Sequence, residues 1–154
     1  MEYQKLLERS DGWLKYAIHR NLCNDPEGTL FELRNAALAD SRIQKYLADV
    51  SVFHSTPVTN HKNPELPIHK LLFLLDIGFS TEVPEIKDAI DEILKHKDDH
   101  GIYQSVTNVP KHFGGAGVDV FSWCLCDAPL LLLALLKAGV EYYERAFLST
   151  PEPF

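Results

Sequence analysis

The sequence predicts an all-α fold built from helical hairpins, with two long ordered loops. Nearly every segment with a regular hydrophobic pattern has the 3.6-residue period of a helix. Prolines stand near the starts of several segments and glycines at their ends, as expected for helix first turns and C-terminal caps. Residues 51–63 and 98–122 lack this period. Because they carry β-branched and aromatic residues, we interpret both as ordered loops.

Length and composition indicate one domain, residues 1–154. A chain of 154 residues can bury a sizeable core without disulfides or metals. Hydrophobic residues make up 45% and charged residues 24%, which argues against intrinsic disorder. The three cysteines are an odd count, so no disulfide framework is expected, and a cytoplasmic location is the simplest interpretation.

Charge and hydropathy exclude two classes of partner. The net charge is −7, and the sequence has no basic patch that could neutralise phosphates, so nucleic acid is not an expected partner. The longest apolar run, Ala128 to Leu136, is much shorter than the roughly 18 residues that a membrane span requires. The N-terminus lacks the apolar core of a signal peptide. We therefore expect no membrane span.

Residues 1–50 are predicted to form the N-terminal helices. The first helix is interrupted near Gly12, and a short helix follows over 29–39. Asp40 or Ser41 can cap the next helix by accepting a hydrogen bond from a free backbone N–H. That helix has apolar residues spaced i, i+3, i+4, i+7, namely Ile43, Tyr46, Leu47 and Val50.

Residues 64–97, after the 51–63 loop, form the first predicted helical repeat. Its inner helix covers about 66–77 and ends at Gly78, a typical C-cap. Its outer helix has Pro84 in the first turn. One apolar stripe marks the buried face of that outer helix, formed by Ile86, Ala89, Ile90, Ile93 and Leu94.

Residues 123–148 form a second, incomplete repeat. Its helix, 123–137, has leucines on all sides, which predicts burial all round, and Gly139 ends it. The segment LLFLLDIG of the first repeat aligns with LLALLKAG of the second, 61 positions later. Helical hairpins of this kind bury their inner helices by stacking on neighbours. In the first copy the outer helix is followed by the segment His100 to Tyr103, and the second copy runs out of chain where that element should come, so we expect an unfinished array.

Several motifs together carry a resemblance to a known family. An inner helix, a glycine and an outer helix are followed by the turn DDHGIY, which begins at Asp98. The other motifs are PIHKL from Pro67, VPKHFGG from Val109 and WCLCDAP from Trp123. Over residues 62–139 the pattern resembles the prenyltransferase and squalene-cyclase repeat. The resemblance implies a partial α/α toroid from an uncharacterised branch of that superfamily, of which this chain would represent the N-terminal half.

The catalytic motifs of that superfamily are not matched. Squalene-type cyclases use an acidic Asp-x-Asp-Asp motif, whereas this chain has only Asp98-Asp99 beside His100. Protein prenyltransferases hold zinc through Asp-x-Cys and a distant histidine, whereas here the order is Cys126-Asp127. The resemblance therefore favours a non-catalytic member.

A metal site is one alternative. Cys124 and Cys126 could bind zinc together with Asp127, and His112 or His69 could complete the ligand set. On a helix, two residues at this spacing point about 200° apart, so they converge only if a loop precedes Pro129. We favour the simpler interpretation, in which the cysteines are small buried hydrophobic residues and no cofactor is bound.

Histidines supply the weak catalytic candidates. His69 lies one turn into the inner helix and could act as a general acid or base, because histidine titrates near neutral pH. His112 and Asp127 are the other two candidates. His61 and the 51–63 loop would border the mouth of a bowl. The favoured interpretation is that each histidine is hydrogen-bonded to backbone in the core or a loop.

Aromatic residues supply the predicted ligand-binding set. In a concave bowl they would suit an apolar small molecule, and the nearby Gly114 and Gly115 could let backbone approach a ligand closely. The alternatives are a packed core and a tight turn. The full predicted set is His61, Phe73, Tyr103, Phe113, Gly114, Gly115 and Trp123.

Three functional hypotheses follow. The first is a non-catalytic module that binds an apolar small molecule or a partner helix in its concave face. The second is a structural unit that self-associates as a homodimer, because an unfinished array leaves an apolar end. The third is a metal- or histidine-dependent enzyme that uses the His/Cys/Asp residues.

Overall fold

The computed structural model describes residues 4–23, 25–60 and 62–140. These residues are mostly helical, so the all-α class is confirmed at that coarse level. The described part contains seven α-helices: α1 (Gln4–Glu8), α2 (Gly12–Ile18), α3 (Glu27–Leu38), α4 (Ser41–Ser51), α5 (Pro67–Asp76), α6 (Pro84–Lys95) and α7 (Ala128–Lys137). Shorter helical turns are the π-helical turn His19–Cys23 and the 3₁₀ turns Phe53–Ser55 and Lys111–Phe113. None of the described helices has the length and apolar content needed to cross a membrane.

The helix boundaries follow the local signals in the sequence. The Asp40 carboxylate accepts a hydrogen bond of 2.9 Å from the Arg42 backbone N–H and so caps α4. Pro67 and Pro84 stand in the first turns of α5 and α6. Gly78, which follows α5, has a φ of 103°, and its left-handed conformation confirms the predicted C-cap.

Residues 98–122, predicted to be a loop, contain two short strands in the structure. Strands β1 (Ser105–Thr107) and β2 (Val120–Ser122) pair antiparallel, with Val106 opposite Phe121. Val58 of the 51–63 segment joins this sheet, since its N–H donates to Val106 O at 2.7 Å. Three-residue strands are too short to give a clear period-two pattern, and their pairing is decided by tertiary contacts.

Four of the described helices, α4 to α7, pack against one another. Helix α4 packs on both α5 and α6, and α5 packs on α7. Ile68 and Leu131, near the starts of α5 and α7, line one cavity, while Asp76 and Lys137 at the ends of the two helices form an ion pair. Helices α5 and α7 therefore run parallel, side by side.

The two leucine-rich helices differ in burial. As predicted, α5 is buried on nearly all sides. Its buried residues are Pro67, Ile68, Lys70, Leu71, Leu72, Leu74 and Leu75. For α7 the prediction of burial all round is wrong: Leu131, Ala134 and Leu135 are buried, but Leu133 and Leu136 are 40% and 54% exposed. Helix α7 also begins at Ala128, because residues 123–127 form a turn rather than helix. Residues 141–148 of the second predicted repeat lie outside the described part of the chain.

Candidate functional site

The two cysteines proposed as zinc ligands lie in the turn before α7. The Cys124 sulfur accepts backbone N–H groups from Cys126 and Asp127, both at 3.3 Å. Burial raises the pKa of the Cys124 thiol above its usual value, and the two N–H donors offset only part of this effect. A raised pKa keeps the thiol protonated, which weakens it as a metal ligand and as a nucleophile.

Asp127 is buried at the end of the small sheet. Its Oδ2 lies 3.5 Å from the Ser105 hydroxyl. Together with Ile68 and Leu131, the carboxylate borders a cavity of about 20 Å³. This is the space of a single water molecule, so the cavity cannot hold an apolar ligand of isoprenoid size.

The predicted histidines are separated from the cysteines. His69 is half-buried in the first turn of α5, and His112 is exposed, with its ring 4.2 Å from the Phe113 ring. In the described ranges, three or more metal-ligating side chains converge at one place, the cluster of His19, Cys23 and Asp25. The structure therefore does not gather His112, Cys124 and Cys126 into one ligand set. His61 lies outside the described residues.

The predicted aromatic residues occupy different surroundings. Phe73 packs edge-on against Trp13 and Tyr46, with ring centroids 5.3 and 5.4 Å away. These three rings line a groove of about 220 Å³, which none of the other predicted aromatic residues borders. Tyr103 is buried beneath the Lys97 ammonium group, 4.7 Å from its ring centre. Phe113 and Trp123 are exposed.

The glycines of the 98–122 segment form a tight turn. Gly114 has a left-handed φ of 82°, and a Cβ on Gly115 would lie 2.0 Å from the Val109 carbonyl oxygen. The Gly115 N–H donates to Pro110 O at 3.2 Å. The close approach therefore involves the chain's own backbone, which supports the turn interpretation over the ligand-binding one.

Helix α7 carries an apolar stripe that the sequence analysis did not single out. Pro129, Leu133 and Leu136 are spaced i, i+4, i+7, which places them on one side of the helix, and all three are exposed. We call this surface the α7 stripe. The opposite side of α7 carries the leucines that pack toward α5.

The repeat shows that this exposure is unusual. Moving each residue of the α7 stripe back by the repeat offset of 61 gives Ile68, Leu72 and Leu75 on α5, all of which are buried. Helix α5 is covered on that side by α7, as the cavity shared by Ile68 and Leu131 shows. The offset was available in the sequence, and it could have located this surface.

Comparison with known proteins found no matching family model, no matching curated protein and no matching solved structure. The resemblance to prenyltransferase and squalene-cyclase repeats therefore stays a prediction. The candidate sites have to be judged on the geometry of this chain.

Proposed function

We propose that this chain is a non-catalytic helical-repeat module that self-associates through the α7 stripe. The observation that carries the proposal is the contrast between equivalent surfaces: the α5 copy of the stripe is buried and the α7 copy is exposed. In stacked helical repeats each inner helix is covered by the next one. The stripe on α7 has the composition of a surface that is normally covered in this way.

A second copy of the chain is the occupant that we propose. A two-fold symmetric contact needs one self-complementary patch, and an apolar stripe on a helix can pack against its own copy. Leu125, 85% exposed, and Trp123 extend the apolar surface toward the start of α7. Apolar contact of this kind is non-directional, so the association requires no charged partner on the other copy.

As part of the same proposal, the chain has the architecture of a partial α/α toroid. Two observations support it: the parallel packing of α5 and α7, and the packing of α4 on both α5 and α6. Inner and outer layers of parallel helices are the arrangement that the resemblance to the cyclase repeat implies. The non-catalytic assignment is supported by the unmatched catalytic motifs and by the fact that, in the described part of the chain, His69 and His112 do not join Cys124, Cys126 and Asp127 in one metal-ligating cluster.

Light scattering coupled to size exclusion tests the proposal on the full chain. The wild-type protein is expected to have the mass of a dimer at high micromolar concentration. The double variant Leu133→Glu/Leu136→Glu is expected to be a folded monomer, because charges on the stripe oppose its burial. Phe31→Glu is the matched control, since Phe31 is an exposed apolar residue on α3, and it should remain dimeric. A monomeric wild-type protein would overturn the proposal.

The groove beside Phe73 supports a second candidate function, the binding of an apolar small molecule. Trp13, Tyr46 and Phe73 give it aromatic walls, and Arg42 and Lys45 border it. Its volume of about 220 Å³ is below the roughly 300 Å³ at which ligand pockets usually begin, so we rank this function second. Fatty acids and isoprenoid alcohols that raise the melting temperature of wild type but not of Phe73→Leu would support it. A screen without any stabilising compound would count against it.

A further inference from the structure

We propose that His19, Cys23 and Asp25 form a binding site for a divalent transition-metal ion of the zinc class. One ligand atom from each residue, a ring nitrogen, a thiol sulfur and a carboxylate oxygen, lies within 4.8 Å of the other two. Zinc bonds of about 2.0–2.3 Å place the ligands of a tetrahedral site roughly 3.3–3.8 Å apart. The observed upper limit of 4.8 Å is close to that spacing. The site is independent of the α7 stripe.

The backbone explains why these three side chains converge. His19 and Cys23 begin and end the π-helical turn that follows α2, and residues four apart on a helical turn lie on the same side. Asp25 comes just before Pro26, the residue that precedes the first turn of α3. The ligands thus come from the end of one helix and the start of the next, so a bound ion would link the α2–α3 hairpin. Single π-helical turns are frequent at functional sites.

Neighbouring contacts hold this turn against the end of α5. The Asn21 side-chain amide donates to Asp76 O at 3.2 Å, and the Tyr16 hydroxyl donates to Gly78 O at 2.9 Å. The His19 Nδ1 atom is in hydrogen-bonding contact with Asp25 Oδ2. The imidazole and the carboxylate therefore already lie side by side before any metal binds, which lowers the conformational cost of bringing the two ligands together.

The donor set favours zinc over alkaline-earth ions. A thiolate is a soft ligand that favours zinc-class metals, and an imidazole suits the same metals, whereas calcium and magnesium require oxygen donors. Thiolate and carboxylate together carry two negative charges, which balance a divalent cation. The His19 and Asp25 side chains are 25% and 28% exposed, so the site is sheltered but accessible from solvent. Three protein ligands leave a fourth coordination position for water.

Cobalt titration of the metal-stripped full-length protein tests the site. Cobalt(II) replaces zinc with similar geometry, and a thiolate ligand gives a sulfur-to-cobalt charge-transfer band. We expect a 1:1 complex with this band, reversed by added zinc. Cys23→Ser should abolish the band and weaken metal affinity by more than about 100-fold, because even changes outside the ligand set cost 10–100-fold. Zinc should raise the melting temperature of the wild-type protein but not that of Cys23→Ser.

Two further variants make the result decisive. Cys126→Ser removes an exposed cysteine in the turn before α7 and should leave the band unchanged. His19→Gln should lose zinc stabilisation while keeping its thiol, and it serves as the test if Cys23→Ser does not fold. Absence of the band in wild type, or its loss in Cys126→Ser but not in Cys23→Ser, overturns the proposal. The dimer mass is measured on the same samples without metal, so failure of the site and failure of self-association are distinguishable.

Discussion

Asp76 and Lys137 form an ion pair, and they occupy the same position in the two copies of the repeat. Each is the last residue of its helix, α5 or α7. A carboxylate at a helix C-terminus is unfavourable because it meets the negative end of the helix dipole. The ammonium group of Lys137 therefore offsets an unfavourable charge in the neighbouring repeat, and the pair fixes the two helices in parallel register.

The Asp76–Lys137 pair should make a small but measurable contribution to stability. Both side chains are partly exposed, so Lys137→Met is expected to lower the free energy of unfolding by less than about 1 kcal/mol. In the Asp76→Asn background the same change should have less effect, because the carboxylate that it neutralises is gone. Urea unfolding of the four proteins of this double-mutant cycle measures the coupling. A coupling energy of zero would show that the pair does not contribute.

Neighbouring leucines of α7 should respond very differently to truncation. Leu135 is fully buried against α5, so Leu135→Ala is expected to cost about 3 kcal/mol through lost apolar burial and a residual cavity. Leu136 lies in the exposed stripe, and Leu136→Ala should cost less than about 1 kcal/mol in the monomer. Urea unfolding at low protein concentration keeps dimerisation out of the comparison. Similar losses at both positions would contradict the two-sided burial of α7.

Lys70 is a buried cation that should contribute to the packing of α5 on α4. Its Nζ atom lies 2.6 Å from Asp49 Oδ2 and 2.7 Å from Glu65 Oε2. Lys70→Met removes the charge and keeps the length of the side chain. We expect a loss of about 2 kcal/mol, less than the roughly 3–5 kcal/mol for breaking a fully buried pair, because both carboxylates remain accessible to water. Thermal unfolding of Lys70→Met measures the loss, and an unchanged melting temperature would argue against it.

The pH dependence of stability should report two of these charges, those of Lys70 and Glu65. Burial alone would lower the pKa of Lys70, but the hydrogen bonds that its ammonium group donates to Asp49 and Glu65 outweigh this effect and raise the pKa. Hydrogen bonding to Lys70 lowers the pKa of Glu65. The charged form of Lys70 therefore makes its full contribution to the free energy of unfolding below about pH 10. This contribution is lost as the pH rises through the raised pKa of Lys70. The carboxylate form of Glu65 makes its full contribution to the free energy of unfolding above about pH 4. This contribution is lost as the pH falls through the lowered pKa of Glu65.

Urea midpoints of wild type and Lys70→Met across this range check the pH prediction. The difference between the two proteins should be largest from about pH 5 to pH 9 and should shrink toward both extremes. A difference that does not vary with pH would mean that packing of the lysine stem, rather than its charge, stabilises the contact.

The two C-cap glycines should differ in their tolerance of a side chain. Gly78 and Gly139 both have positive φ, 103° and 72°, so alanine is strained at either position. A Cβ at Gly78 would also lie 2.8 Å from Arg20 Cγ, whereas none of the described residues beyond the chain neighbours would lie within 4 Å of a Cβ at Gly139. We expect losses of about 2 kcal/mol for Gly78→Ala and about 1 kcal/mol for Gly139→Ala.

Calorimetric melting temperatures test the glycine prediction. Gly139→Asn is the control, because asparagine adopts the left-handed conformation more readily than alanine and should be better tolerated. Equal losses at Gly78 and Gly139 would contradict the close packing of Arg20 on the end of α5.

Local signals predicted the helices well because each signal acts within one turn. The Asp40 cap, the prolines of α5 and α6, and the glycine after α5 each satisfy or terminate nearby backbone groups, so the helix ends could be located from sequence. The 61-residue offset likewise predicted two equivalent helices, and the ends of α5 and α7 agree with it. The resemblance to a toroid repeat, by contrast, stays a prediction.

The metal-ligating cluster and the apolar stripe could not be found in the same way. His19, Cys23 and Asp25 are ordinary residues in sequence, and only the π-helical turn after α2 brings their ligand atoms together. The sequence pattern instead drew attention to Cys124 and Cys126, where the hydrogen bonds of a turn explain the arrangement.

Hydrophobic periodicity and capping by themselves determined the helical class, the ends of the principal helices and the internal repeat, because these depend on interactions between residues close in the chain. Tertiary structure alone decided which side of a leucine-rich helix is covered. Leucines at equivalent positions are buried on α5 and exposed on α7. Apolar burial is non-directional, so it depends on what packs against the helix. Tertiary structure also decided the pairing of β1 with β2, because strands so short are held by partners that are distant in sequence.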